Sequence, residues 1–218
     1  MISIIIPVLN EATTIETLLV HIAETASEGN ISEILVVDGG STDNTKDLVI
    51  HYSEKSSLKV QLITSEKGRA KQMNIGARNA TGTVLYFLHA DSFPPKDFDS
   101  FIISEVEKGN NAGCFRMKFN TNHPLLQFSQ WFTQFNFKFC RGGDQSLFIT
   151  KNIFRELDGF NESYIIYEDC DIINRLYDTY HFTIIPKYII TSSRKYSQIG
   201  TWKLQYHFAI IHLKYKLK

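Results

Sequence analysis

Hydrophobic and polar positions in the first half of the chain switch between two periods in a regular rhythm. Residues 2–6 form a β-branched apolar run, and residues 13–26 then carry Ile15, Leu18, Leu19 and Ile22 at helical spacing. Runs at 33–37, 58–64 and 83–88 predict three more strands, and 43–52 (with Leu48 and Val49 on one face) and 68–79 predict the helices between them. Apolar runs without alternation mark strands covered on both faces. Strand, helix, strand in this order implies right-handed crossovers and a mostly parallel sheet. The predicted class is α/β, with a central sheet and helices on both faces.

The second half is less regular. It predicts helices at 97–108, 152–157 and 168–178, strands at 113–119, 146–150, 182–185 and 188–191, and a terminal helix at 202–213. Residues 125–139 carry Phe128, Trp131, Phe132, Phe135 and Phe139 at spacings that predict a core-facing helix face. No repeat and no Pro/Gly/Ser-rich linker interrupts the 218 residues, so one domain over 1–218 is expected.

Charge narrows the partners. Lys+Arg and Asp+Glu are both 23, and a zero formal balance argues against a general nucleic-acid binder. Cys114, Cys140 and Cys170 are odd in number and lack metal-type spacing, so they read as reduced thiols of an intracellular protein. Met1 runs straight into the first strand without a basic leader, and no apolar stretch is long enough to cross a bilayer, so a cytoplasmic protein is expected.

The polar residues that follow the buried runs carry the candidate chemistry. His89-Ala90-Asp91 stands just past the apolar run 84–88, where open α/β sheets bind ligands; Asp91 alone reads equally well as a turn former. Pro7-Val8-Leu9-Asn10-Glu11 ends the first run, and Asn10 or Glu11 can cap the next helix while its amides face a ligand. Asp38-Gly39-Gly40 ends the second, a carboxylate placed to hold a ribose or base, and Asp43 reads as a cap. No G-x-G-x-x-G follows the first strand, so this is not a dinucleotide fingerprint. Lys67, Arg69 and Lys71 surround the start of the third helix, which suits either a diphosphate or a solvated basic face. Glu168-Asp169-Cys170-Asp171 crowds a helix start, where acidic residues complement the dipole and one aimed into the cleft could act as a general base.

Taken together, these segments resemble the family-2 glycosyltransferases of the GT-A fold. Residues 3–11 match that family's first strand, 36–43 its second-strand signature, His89-Ala90-Asp91 its metal-binding D-x-D motif and Glu168-Asp169 its catalytic pair. The resemblance implies an inverting, metal-dependent transfer of a sugar from a nucleoside-diphosphate sugar to an acceptor hydroxyl. It implies a nucleotide-binding half at about 1–92 and an acceptor-binding, catalytic half at about 93–218. Pro7, Leu9, Glu11, Asp38 and Ala90 would surround the nucleotide, Arg69 and Asn74 would border the diphosphate, with Arg194 reaching the same group. Asp91 would bind Mg²⁺ or Mn²⁺, Asp169 would be the base, and Asp144, Gln145 and Glu168 would stand on the acceptor side.

His89 replaces an Asp of the usual pattern; the Leu88-His89-Ala90-Asp91 form resembles a subset of the family and leaves the role of His89 open between ribose, metal and neither. Two rivals stand beside this reading. A nucleotidyltransferase should carry a glycine-rich basic loop after the first strand, which this chain lacks; a non-catalytic nucleotide-sugar binder is disfavoured by the presence of both Asp91 and Asp169. The apolar and basic segment 203–218 admits two outcomes, a packed terminal helix or one lying on a membrane that carries a lipid-linked acceptor.

Overall fold

The computed structural model describes residues 1–194 together with Tyr196 and Gly200. The predicted terminal helix at 202–213, Lys195 and the membrane contact expected of the C-terminal segment lie outside the described residues.

Strands β1 (Ile2–Val8), β2 (Ile31–Asp38), β3 (Val60–Thr64) and β4 (Val84–Phe87) alternate with helices α1 (Ile15–Thr25), α2 (Thr45–Ser53) and α3 (Arg69–Asn79). The described chain continues through β5 (Ser92–Phe93), α4 (Phe98–Glu107), β6 (Ala112–Phe119), α5 (Pro124–Trp131), β7 (Leu147–Thr150), α6 (Lys151–Glu156), α7 (Glu168–Thr179) and β8 (Phe182–Thr191). All eight strands join one sheet in the order β3-β2-β1-β4-β7-β6-β8-β5. β3, β2, β1 and β4 run parallel, as the strand–helix rhythm requires, and β6 and β8 are parallel to each other. β7 enters antiparallel between β4 and β6, and the two-residue β5 closes antiparallel on β8. The candidates at 182–185 and 188–191 are one strand, interrupted where Phe115 and Arg116 pair with Ile185 and Tyr188 and leave Pro186 and Lys187 bulged.

Alternation along each strand sorts the core into two layers. Ile4, Ile6, Val36 and Tyr86 face Leu18, Ile22 and Val49 of α1 and α2 and Phe98 of α4. Ile5, Leu35, Val37 and Phe87 face Met73 of α3, Phe154 of α6 and Ile172 of α7. Each such side chain contributes about 1.5–3 kcal/mol on burial. α3 lies so close to β1 that a Cβ on Gly76 would stand 2.4 Å from Ile5 Cγ2, which only glycine avoids.

The aromatic segment 125–139 departs from expectation. It breaks into α5 and two short 3-10 turns, Phe132–Gln134 and Lys138–Cys140, and Phe128, Trp131, Phe137 and Phe139 are exposed. The cause lies on β6, which pairs with β7 only at Ala112 and Gly113 and leaves later amides open on that side. Gln130 and Thr133 turn inward to accept from Phe119 N (2.8 Å) and Met117 N (3.1 Å), so the helix presents polar side chains and Leu126 to the strand. The rings pack on one another instead, Trp131 on Phe135 at 4.7 Å and Phe128 on Phe132 at 5.0 Å.

A buried carboxylate ties the sheet's lower edge. Glu33 accepts from the Ser3 and Thr81 hydroxyls and from Thr81 N at 2.9 Å, and Lys59 Nζ stands 3.5 Å away. Burial pushes its pKa up, but these donors outweigh it and hold the carboxyl below its ordinary value. The stability it supplies is therefore present above about pH 4.5 and lost as the pH falls below it. Glu33→Gln should cost about 2 kcal/mol at neutral pH, or about 4–8 °C in melting temperature, and should flatten the acid limb of a melting-versus-pH curve. A variant with the wild-type acid limb would exclude this role.

Candidate functional site

The strand order reverses direction of growth between β1 and β4, and at such a switch point the carboxyl ends of the strands part to leave a crevice. Gln72 reaches it from α3: its Nε2 donates to Val8 O (2.8 Å), the last carbonyl of β1, and to Val37 O (2.7 Å), one residue before the end of β2. A Cβ on Gly39 would meet that amide at 2.9 Å, which explains the glycine after Asp38. The sequence reading missed Gln72, whose only signal is a polar residue on the buried side of α3.

A cavity of about 650 Å³ fills the crevice and brings together Pro7, Leu9, Glu11, Arg69, Ala90 and Asp91, with His89 and Lys67. Loop residues Glu162, Tyr164 and Ile165 close its outer side. A larger groove of about 820 Å³ lies between α3, α6 and α7, but Asn74 alone of the predicted site residues lines it, and its Arg175 is committed to Asp171 at 2.7 Å. We place the chemistry in the smaller cavity, where the strand ends converge.

The two ends of the crevice differ in polarity. Asp91 is 5% exposed, and among the described residues its carboxylate has no hydrogen-bond or ion-pair partner. A buried, unpartnered carboxylate facing a cavity is costly unless a cation or donor arrives. A hard oxygen donor of this kind fits Mg²⁺ or Mn²⁺, which characteristically take one or two carboxylates and complete their shell with substrate oxygens and water. Among the described residues no cluster of three or more His, Cys, Asp or Glu could hold an ion by itself.

Arg69 and His89, which line the cavity, connect it to the start of α7. Tyr167, at φ 103°, turns the chain into α7 so that Glu168 and Asp169 face inward. Arg69 Nη1 reaches Glu168 Oε1 at 3.0 Å and Asp169 Oδ2 at 3.4 Å. His89 stands between two carboxylates, Nδ1 3.4 Å from Asp144 Oδ1 and Nε2 3.6 Å from Asp169 Oδ2. Burial alone would lower the imidazole pKa; Asp144 and Asp169 outweigh it and, against the Arg69 charge, push it up to about 9, so His89 is a cation at neutral pH. Burial and the neighbouring Asp169 charge raise Glu168, whereas His89 and Arg69 overcome burial to hold Asp169 below its ordinary value. Two adjacent carboxyls are thus driven apart, one toward the acid and one toward the base. Burial, with Asp169 and Glu168 nearby, pushes the Cys170 thiol up to about 12, so it is no nucleophile.

Other predicted residues are placed differently. Asp38 accepts from Gly40 N (2.9 Å) and Ser41 N (3.1 Å), closing the turn after β2, and does not line the cavity. Asn74 clips the loop before α7, its Nδ2 donating to Phe160 O (2.8 Å) and its Oδ1 accepting from Phe160 N (2.9 Å). Gln145 is buried in a network with Arg141 Nη1 (2.7 Å) and Cys140 O (2.8 Å) instead of facing an acceptor. Arg69, expected at the diphosphate, is committed to the α7 carboxylates. Arg194 ion-pairs with Glu11 at 2.9 Å and donates to Thr13 Oγ1 at 3.2 Å. The amides of Asn10, Glu11 and Ala12 are spent on Ser41, Thr45 and Asp43, so they do not face a ligand; Asp43 also caps α2 through Thr45 N at 3.1 Å.

Comparison with known proteins finds glycosyltransferase relatives. The chain is 26% identical over 223 residues to the probable glycosyltransferase YdaM of Bacillus subtilis, covering 93% of this chain and 52% of that protein. It is 33% identical over 110 residues to the dolichol-phosphate mannosyltransferase of Pyrococcus furiosus, covering 50% of this chain and 31% of that one. This chain therefore spans about half or less of these relatives. Among solved structures, Staphylococcus aureus TarS 1–349 in complex with UDP-GlcNAc superposes with a TM-score of 0.74 at 19% identity, over 88% of this chain and 58% of that one. The mannosyltransferase of Pyrobaculum calidifontis in complex with GDP-Man and Mn²⁺ gives 0.68 at 20% identity, over 87% and 56%. These two share the fold. Residues 3–171 match the profile of Glycosyl transferase family 2, and the chain belongs to that family.

Proposed function

We propose that this chain transfers a sugar from a nucleoside-diphosphate sugar to an acceptor hydroxyl, in a single displacement that inverts the anomeric centre. One observation carries the reading: the Asp91 carboxylate lines the strand-end crevice with no hydrogen bond or ion pair among the described residues, and the Asp169 carboxylate contacts Arg69 and His89, which line the same crevice. The nucleotide lies along Pro7, Leu9 and Ala90, and Lys67, which carries no ion pair among the described residues, takes the diphosphate role expected of Arg69. Glu11 and Arg194 form the rim, and Asp38 acts through the turn it closes. Mg²⁺ or Mn²⁺, held by Asp91, supplies Lewis-acid stabilisation of the departing diphosphate when bound. Asp169 takes the acceptor's proton as the hydroxyl attacks the face opposite the leaving group, and its lowered pKa keeps it ionised for that task.

A lipid-phosphate acceptor is supported by the relatives whose names state dolichol-phosphate or dolichyl phosphate chemistry. No described helix is long and apolar enough to cross a membrane. The Leu88-His89-Ala90-Asp91 form supports reading the chain as a member of a Leu-His-Ala-Asp subset of its family.

The test offers UDP-GlcNAc and GDP-mannose in turn, each with Mn²⁺ and with or without dolichyl phosphate, and measures free nucleoside diphosphate and the anomeric configuration of the product. Acceptor-stimulated release with inversion is expected. A retained configuration would exclude the single displacement.

A further inference from the structure

We infer that His89 is a positioning residue that aims the Asp169 carboxylate, so that Oδ1 of Asp169 is the atom receiving the acceptor's proton. The inference rests on the reading of Asp169 as base and adds the part that orients it. Both contacts that Asp169 receives in the crevice fall on a single oxygen: His89 Nε2 at 3.6 Å and Arg69 Nη1 at 3.4 Å are each measured to Oδ2. Among the described residues Oδ1 has no partner. Two cationic groups drawn to the same oxygen favour the carboxylate orientation that leaves the lone pairs of the other oxygen to the acceptor.

The imidazole is itself held. Its other nitrogen faces Asp144 Oδ1 at 3.4 Å, and Asp144 is fixed through its carbonyl, which accepts from Thr191 Oγ1 at 2.9 Å. The ring's own backbone is closed in a turn by Ser92 N donating to His89 O at 3.1 Å. His89 therefore spans from the end of β4 to two segments of the catalytic half, the 143–145 turn and the start of α7. The side chain is 10% exposed and has little room to swing. The separations are long for hydrogen bonds, and apo catalytic contacts of this length tighten when substrate closes the site. An aspartate at 89, as in the usual D-x-D pattern, would set like charges against Asp144 and Asp169 and could not hold either.

The test separates aiming from mere packing by choice of amide. In His89→Gln the side-chain nitrogen falls near the position of Nε2 and can still reach Asp169; in His89→Asn it falls near Nδ1 and reaches only toward Asp144. Acceptor-dependent UDP or GDP release is measured with UDP-GlcNAc or GDP-mannose, Mn²⁺ and dolichyl phosphate, and UDP or GDP affinity is measured by calorimetry. His89→Asn should lower kcat about 10- to 100-fold, the range expected of a misplaced reacting group, with donor KM and nucleotide affinity within about twofold of wild type. His89→Gln should recover most of kcat. In an Asp169→Asn background His89→Asn should cost nothing more, because its effect passes through Asp169. Equal losses in the two amide variants, wild-type turnover in His89→Asn, or losses that multiply in the double variant would each overturn the proposal. Wild-type turnover in Asp169→Asn alone would overturn the base assignment and this inference with it, an outcome distinct from the first three.

Discussion

Asp169→Asn lowers acceptor-dependent sugar transfer by about two to four orders of magnitude, the range a positioned general base supplies, and leaves nucleotide binding nearly unchanged. The amide keeps the shape of the carboxylate and still accepts from Arg69 and His89, but it cannot take a proton from the attacking hydroxyl. In the proposed reaction the group acts on the acceptor and not on the donor, so UDP or GDP affinity measured by calorimetry should stay within about twofold of wild type. Glu168→Gln should be far milder. Burial and the Asp169 charge raise the Glu168 pKa, and its Oε2 is buried without a hydrogen-bond partner, so an amide there gives up little beyond charge. Its remaining task is the 3.0 Å contact with Arg69, which a glutamine oxygen keeps. Should Asp169→Asn turn over at the wild-type rate while Glu168→Gln is inactive, the two carboxylates have exchanged roles.

The parts of this site that the sequence made legible are those written locally. Pro7 to Glu11, Asp38 and His89 to Asp91 each follow an uninterrupted apolar run, so their place at the strand ends follows from the runs, and the parallel half of the sheet follows from the strand–helix rhythm. What local pattern does not encode is the partner of a polar side chain across the fold. Arg69 and Asp169 are 100 positions apart, and nothing near Arg69 says that its guanidinium meets two carboxylates instead of a diphosphate. Asn74 and Gln145 were misplaced for the same reason: each sits beside the expected site, yet a long-range or turn-closing bond consumes its amide. The aromatic segment shows a different limit. Helical spacing of rings signals a face, but whether that face turns inward depends on what the neighbouring strand lacks, and β6 lacked hydrogen-bond acceptors that Gln130 and Thr133 supply.

Those misplacements change the chemistry more than the fold. With Arg69 committed to α7, the positive charge left near Asp91 is that of Lys67 and Arg194, together with any ion that Asp91 holds. One end carries an unsatisfied carboxylate that calls for a cation; the other carries two carboxylates already neutralised by Arg69 and His89. A donor diphosphate is expected beside Asp91, because near α7 the cations Arg69 and His89 are already committed to Glu168, Asp169 and Asp144.

Asp91→Ala tests that division and has the second large effect. With wild-type protein, Mn²⁺ and nucleoside diphosphate at about 100 times its dissociation constant should stabilise the fold by about 2.7 kcal/mol, or about 5–10 °C in melting temperature for a chain of this size. Asp91→Ala should lose the Mn²⁺-dependent part of that shift and with it metal-dependent transfer. Without ligands the same substitution should leave the melting temperature nearly unchanged. Asp91 is 5% exposed and its carboxylate makes no hydrogen bond or ion pair among the described residues, so removing it breaks no side-chain bond and gives up only the longer-range attraction of Arg194. Its backbone carbonyl, which accepts from Ser192 N at 3.1 Å, is untouched. The contrast matters, since a purely structural carboxylate would lower the ligand-free melting temperature when deleted and leave the ligand-induced shift intact. That pattern would remove Asp91 from the metal site and leave Lys67 as the charge that meets the diphosphate.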